Sequence, residues 1–165
     1  MSKSRPADGV RYFRREWDED RGDEYAHWGT CTVMELSDLE GLRLVSVTAA
    51  LFTHRSDAPE LLHVWLRLET TTVVVRDTAD WALRITPDEP EESYAMEELG
   101  SRVDIVPAPA EVPFVRHVGE RLVRVTKGFD AEDPARWVEA EFVFETGRVI
   151  AEAFGGDLRL SRGPG

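Results

Sequence analysis

The residues best suited to chemistry or recognition crowd together near the N-terminus: Arg14, Arg15, Trp17, Asp18, Asp20, Asp23, Glu24, His27 and Trp28. Asp18 and Asp20 have the spacing that opens a calcium loop, in which alternate oxygen ligands are followed by a glycine and a closing bidentate glutamate. Gly22 falls where a further ligand is needed, and no glutamate closes the loop at the right distance. His27 and Cys31 are four residues apart, which would bring them together on a helix as zinc ligands or as a nucleophile and base. The surrounding alternation describes a loop entering a strand instead, and the four histidines of the chain include no close pair. Neither a metal nor a cofactor is expected. Cys31 reads as a small core residue, and as the only cysteine it excludes an intramolecular disulfide.

Enzyme signatures are equally thin. His54-Arg55-Ser56 resembles half of the paired His-x-Ser/Thr motif of two-histidine phosphoesterases, but His117 is followed by Val118 and Gly119 rather than by a second half. There is no nucleophile elbow, P-loop or dinucleotide glycine fingerprint. Carboxylates are abundant enough for acid–base catalysis, but sequence does not select a pair with the required separation. The balance leans against an enzyme. Arginines mixed with tyrosine and tryptophan are the composition of binding hot spots, so the cluster reads as a partner-binding surface.

Charge bounds the partner. With 32 acidic and 20 basic residues the formal net charge is −12. Such a field repels nucleic-acid backbones and anionic lipid and suits a basic protein, whose encounter it would accelerate. No apolar run approaches the ~20 residues of a membrane span, and the first ten residues lack the apolar stretch of a signal peptide. A cytoplasmic location is expected. Lysine occurs only at Lys3 and Lys127, the arginine-rich usage of a GC-rich bacterial genome.

The elements that carry these residues are strands. Leu62, Val64, Leu66 and Leu68 alternate with His63, Trp65, Arg67 and Glu69, which predicts a strand with one buried face. Val138, Ala140, Phe142 and Phe144 alternate with glutamates in the same way. GLRLVSVT (41–48) then matches GERLVRVT (119–126), HVWLRLET (63–70) matches EAEFVFET (139–146), and TVVVRDTADWALRI (72–85) parallels RVIAEAFGGDLRL (148–160). The offsets are 78, 76 and nearly the same again. These matches predict a duplicated four-strand unit, 41–86 and 119–162, with pseudo-twofold symmetry in a mainly β sandwich or barrel. Thr146-Gly147 and Gly155-Gly156-Asp157 read as its hairpin turns.

Residues 87–118 read as an acidic, proline-rich linker in which Pro107, Pro109 and Pro113 forbid a central strand. Val112–Val118 is the best short helix, and Met96–Gly100 a turn. Before the repeats, 1–38 should supply two extra strands, Val10–Trp17 and Thr30–Leu36, around a polar loop from Asp18 to Trp28. They are expected to pair with one of the sheets, within a single domain of 165 residues.

The run RYFRREWDEDRGDEYAHWGTCTVMEL (11–36) resembles the opening of small, acidic, uncharacterised bacterial proteins that share an R-x-W-D-E…G-D-E…W-G-T-S-T pattern. Cys31 replaces the serine, and Val33-Met34 an aromatic pair. The repeated body, with G-x-x-L-x-x-V, F-x-x-G and D-L-x-L, is similar to bacterial domains grouped with immunity proteins of toxin systems. The resemblance implies a non-enzymatic binding protein that occludes a basic toxin or nuclease. Its carboxylates would meet the basic residues of the partner, and Trp17 and Trp28 would anchor. Two alternatives stand beside it: a ligand-binding barrel or enzyme with a pocket between the repeats, favoured if His63 or Arg67 points inward, and a structural subunit that assembles as a homo-oligomer.

Overall fold

The computed structural model describes residues 10–18, 23–31 and 34–164. It divides into two compact units, one ending at Glu35 and the other beginning at Leu36. In the first, β1 (Val10–Asp18) pairs with β2 (Asp23–Cys31) as a two-stranded antiparallel sheet. The register runs from Val10 opposite Cys31 to Asp18 opposite Asp23. The second strand therefore begins within the stretch read as a polar loop, and Leu36–Leu39 is a 3-10 turn rather than a strand end. The ladder of a two-stranded ribbon is made by main-chain groups, so it needs no alternation of apolar residues to announce it.

The second unit is mainly β, with two antiparallel sheets arranged as a β-sandwich. The six-stranded sheet contains β3 (Leu44–His54), β4 (Glu60–Leu68), β5 (Thr72–Asp77), β6 (Leu83–Pro87), β7 (Tyr94–Met96) and β8 (Ser101–Pro107), in the order β6-β5-β4-β3-β8-β7. The four-stranded sheet contains β9 (Leu122–Phe129), β10 (Trp137–Phe144), β11 (Arg148–Phe154) and β12 (Asp157–Arg162), in the order β12-β11-β10-β9. Strands β10 to β12 lie across β4 to β6. Val64, Leu66, Val73 and Val75 on one sheet, and Ala140, Phe142, Val149 and Ala151 on the other, are almost completely buried between them. Full burial of a side chain such as Phe142 stabilises by about 1.5–3 kcal/mol. Phe114, on a 3-10 turn at Pro113–His117, closes one end of this core edge-on to Phe142 at 5.0 Å and Phe144 at 6.2 Å.

Two expectations are corrected. The linker contains β7 and β8, and β8 is interior to its sheet, between β3 and β7. The prolines do not prevent this because the strand ends at the first of them, Pro107, and Pro109 and Pro113 lie beyond it. Strand β4 buries both faces: Trp65 is 1% exposed and packs with Ala50, Val74 and Val103 on the side away from Val64 and Leu66. His63 and Arg67 share that outer side, so neither points into the space between the sheets.

The two sheets meet along one short bridge, Arg43 opposite Arg121, where every bond has a counterpart 78 residues away. The Gly41 amide donates to the Leu122 carbonyl at 2.7 Å, and the Gly119 amide to the Leu44 carbonyl at 2.8 Å. The Leu44 amide donates to the Glu120 carbonyl and the Leu122 amide to the Leu42 carbonyl, both at 2.9 Å. The Arg121 guanidinium donates to the Gly41 carbonyl at 2.8 Å, and the Arg43 guanidinium donates to the Gly119 carbonyl. Gly41 and Gly119 hold φ of 85° and 94°, a region that glycine enters without a Cβ penalty. The correspondence extends upstream of the sequence repeat. Leu42 donates to the Leu39 carbonyl and Glu120 to the His117 carbonyl, so the 3-10 turns at 36–39 and 113–117 enter the sheets alike.

A histidine–carboxylate cleft at one end of the sandwich

The turn at Pro113–His117, the β10–β11 hairpin and the end of β12 enclose a cleft of about 240 Å3. Arg116, Arg148 and Arg162 supply three guanidinium groups to its lining, beside His117, Thr146 and Gly147. This is a local concentration of positive charge on a chain whose net charge is −12.

His117 is built into the fold. It is 7% exposed, and its ring lies flat on Phe144, with centroids 4.6 Å apart and planes 3° from parallel. Nδ1 is 3.1 Å from a carboxylate oxygen of Glu120. The same carboxylate accepts from the Thr146 amide at 3.1 Å and from the Thr146 hydroxyl at 2.6 Å. Burial pushes the Glu120 carboxyl upward, but the bonds from Thr146 and His117 outweigh it and hold the group below its ordinary range. An ionised Glu120 only accepts, so Nδ1 carries the hydrogen and the tautomer follows from the bond. Nε2 is left without a partner among the described residues.

Gly147 closes the β10–β11 hairpin, its carbonyl accepting from the Phe144 amide at 2.7 Å, and its φ is not positive. Its missing Cβ matters instead: a Cβ there would lie 3.2 Å from Cε1 of His117. The three arginines differ in their freedom. Arg148 donates to Glu141 at 3.3 Å, whereas Arg116 and Arg162 make no ion pair among the described residues.

Comparison of the matching segments isolates the site. At the positions matching His117, Glu120 and Gly147 stand Leu39, Leu42 and Thr71, and Asp38 stands where Arg116 does. Leu39 is buried at 1% exposed, so the fold is satisfied there by an apolar side chain. The matching segment thus shows that this backbone does not itself require the histidine, the carboxylate or the arginine. A signal for them existed in the sequence. Aligning 36–40 with 114–118 turns an isolated histidine into one half of a polar replacement whose other half is Glu120 in place of Leu42.

The residues singled out near the N-terminus are placed by backbone register alone. Arg14, Arg15, Trp17 and Asp18 lie on β1, and Asp23, Glu24, His27 and Trp28 on β2. Arg14 is opposite His27, Trp17 opposite Glu24 and Asp18 opposite Asp23. Asp20 lies outside the described residues. His54 donates to or accepts from the Ser101 hydroxyl at 2.7 Å, across the β3–β8 pair, and not from Ser56. No group of three or more His, Cys, Asp or Glu side chains able to hold a metal occurs among the described residues, and no helix there is long and apolar enough to cross a membrane. A scan of protein-family models, a search of curated proteins and a search of solved structures each gave no match.

Proposed function

We propose that this chain is a binding protein whose His117 cleft captures a small oxyanion or the phosphate-like head of a larger solute. The observation that carries the reading is His117, held on one side by Glu120 and stacked on Phe144, with Nε2 left to a cleft that Arg116 and Arg162 also line. A ring in its charged form meets an anion with an Nε2–H donor, and guanidinium groups meet it with paired N–H donors. Long-range electrostatics work against any anion here, so binding must come from these local groups. The same geometry would let His117 move a proton on a bound substrate, with Glu120 fixing its orientation. The reading also treats the two repeats as a duplication in which one copy acquired the site, and the reciprocal bonds around Arg43 and Arg121 support this.

The test is calorimetric titration of the full chain with inorganic phosphate at low ionic strength. Saturable heat is expected, weakened about tenfold or more in Arg116→Gln and in Arg162→Gln, each loss being of the order of one charge-assisted hydrogen bond. Absence of heat, or equal affinity in both variants, overturns the reading.

A second reading belongs to the N-terminal unit. We propose that the β1–β2 hairpin meets a protein partner through the face whose register positions are Trp17, Glu24 and Trp28, in the manner of an immunity protein acting on a basic toxin or nuclease. The hairpin register, which sets Trp17 against Glu24 and Phe13 against Trp28 on one face, favours it, as does the division of the chain at Glu35.

A further inference from the structure

The outer face of the six-stranded sheet carries a second cavity, of about 330 Å3, independent of the His117 cleft. Its floor follows from register. Thr48, Trp65 and Val74 lie side by side on β3, β4 and β5, and Ser46, Arg67 and Thr72 form the next row along. Its roof follows from topology. Strand β6 is at one edge of the sheet and β7 at the other, so the six residues from Asp88 to Ser93 must cross between the edges. The crossing is tied at both ends: the Asp88 amide donates to the Thr72 carbonyl at 3.1 Å, and the Ser93 hydroxyl accepts from the Ile105 amide at 2.8 Å. Glu89 and Pro90 from this strap line the cavity opposite the floor.

The polar groups here are unspent. Trp65 is 1% exposed, and its indole Nε1 is buried with no hydrogen-bond partner. Buried donors are almost always paired, so an unpaired one stands out in a residue that lines the cavity. Arg67 and Glu89 line the same cavity, yet they form no ion pair with each other or with any described residue. The Ser46, Thr48 and Thr72 hydroxyls likewise make no side-chain hydrogen bond.

We infer that this strap-covered cavity is a site for a small zwitterion of the α-amino-acid type, its carboxylate taken by Arg67 and the hydroxyl row and its ammonium by Glu89. A free cation and a free anion on facing walls ask for a ligand that carries both charges. A simple anion would leave Glu89 unpaired, and a simple amine would leave Arg67 unpaired. Acidic residues on the strap also disfavour a purely anionic ligand, since Asp88, Glu89, Glu91 and Glu92 all belong to it.

The test is calorimetric titration of the full chain with each common L-α-amino acid in turn, with glycerol, acetate and methylammonium as probes that carry only part of the chemistry. At least one amino acid is expected to bind while glycerol and methylammonium do not. Arg67→Gln and Glu89→Gln, both at exposed positions that leave the fold intact, should each weaken it about tenfold or more. Repeating the titration in Arg162→Gln separates the two sites: heat that vanishes there belongs to the His117 cleft, and heat that persists belongs to this one. Failure of every amino acid to bind, glycerol binding as tightly, or affinity unchanged in both Arg67→Gln and Glu89→Gln would overturn the assignment.

Discussion

Replacing His117 and Glu120 together by leucine places there what the matching segment already holds at Leu39 and Leu42. If the polar pair serves a ligand, the double variant should fold at least as well as the parent. The His117 and Glu120 side chains are 9% and 18% exposed, so both are largely withdrawn from water. Their mutual hydrogen bond contributes about 0.5–3 kcal/mol, the upper figure applying to a charged partner. The two bonds from Thr146 pass to water, because Thr146 is exposed. Against this, a fully buried leucine contributes about 1.5–3 kcal/mol, and exchanging a buried polar pair for apolar groups is commonly neutral or stabilising by about 1–4 kcal/mol. The expected result is a gain of about 0–2 kcal/mol in urea unfolding, together with loss of phosphate binding. His117→Leu alone should instead cost about 1–3 kcal/mol, since it leaves Glu120 withdrawn from water and short of a partner. If the double variant loses more than ~2 kcal/mol, the pair is structural and the match to Leu39 and Leu42 does not extend to packing.

Three further outcomes are expected. Gly147→Ala places a Cβ 3.2 Å from a ring already pinned against Phe144 and should cost about 1 kcal/mol in urea midpoint while weakening phosphate binding; an unchanged midpoint would show that the ring is free to shift. Burial lowers the proton affinity of His63 below its ordinary 6.5, with Arg76 acting in the same sense and Glu91, Asp77 and Asp88 opposing it. The unfolded chain then holds the proton more tightly, so this stabilisation is complete above about pH 6.5 and is lost as pH falls; thermal midpoints from pH 7 to 5 should drop less steeply in His63→Gln. Trp17→Ala and Trp28→Ala should weaken capture of a basic protein partner while circular dichroism stays unchanged; unfolding of both would make these residues core.

What was readable beforehand was what water selects. Val138, Ala140, Phe142 and Phe144 alternate with glutamates because one face of β10 meets the core and the other meets solvent. The matching runs at 41–48 and 119–126 were legible because both lead into strands at one reciprocal bridge, Arg43 opposite Arg121. Strand β4 was read too simply: Trp65 alternates with the core residues, but the strap crossing from β6 to β7 belongs to topology and not to local pattern, and it is what shelters the other face. Strand β8 was hidden behind prolines that in fact mark its end. The His117 cleft was invisible for a related reason. Its members are drawn from a turn, a hairpin and a strand end, 46 residues from Arg116 to Arg162, and no local spacing connects them.

The reciprocal bridge between the sheets carries a liability as well as a purpose. Gly41–Leu44 and Gly119–Leu122 offer each other the same donors and acceptors, so whatever one segment finds in its own chain is offered equally by the matching segment of a neighbouring molecule. Within one chain the choice is made by proximity, since tethering keeps the proper mate at high effective concentration. In a crowded refolding mixture that advantage shrinks, and strands traded between molecules would satisfy every bond of the bridge. Such exchanged dimers would be fully bonded at the bridge and slow to separate, so dilute refolding is the condition under which this fold closes on itself.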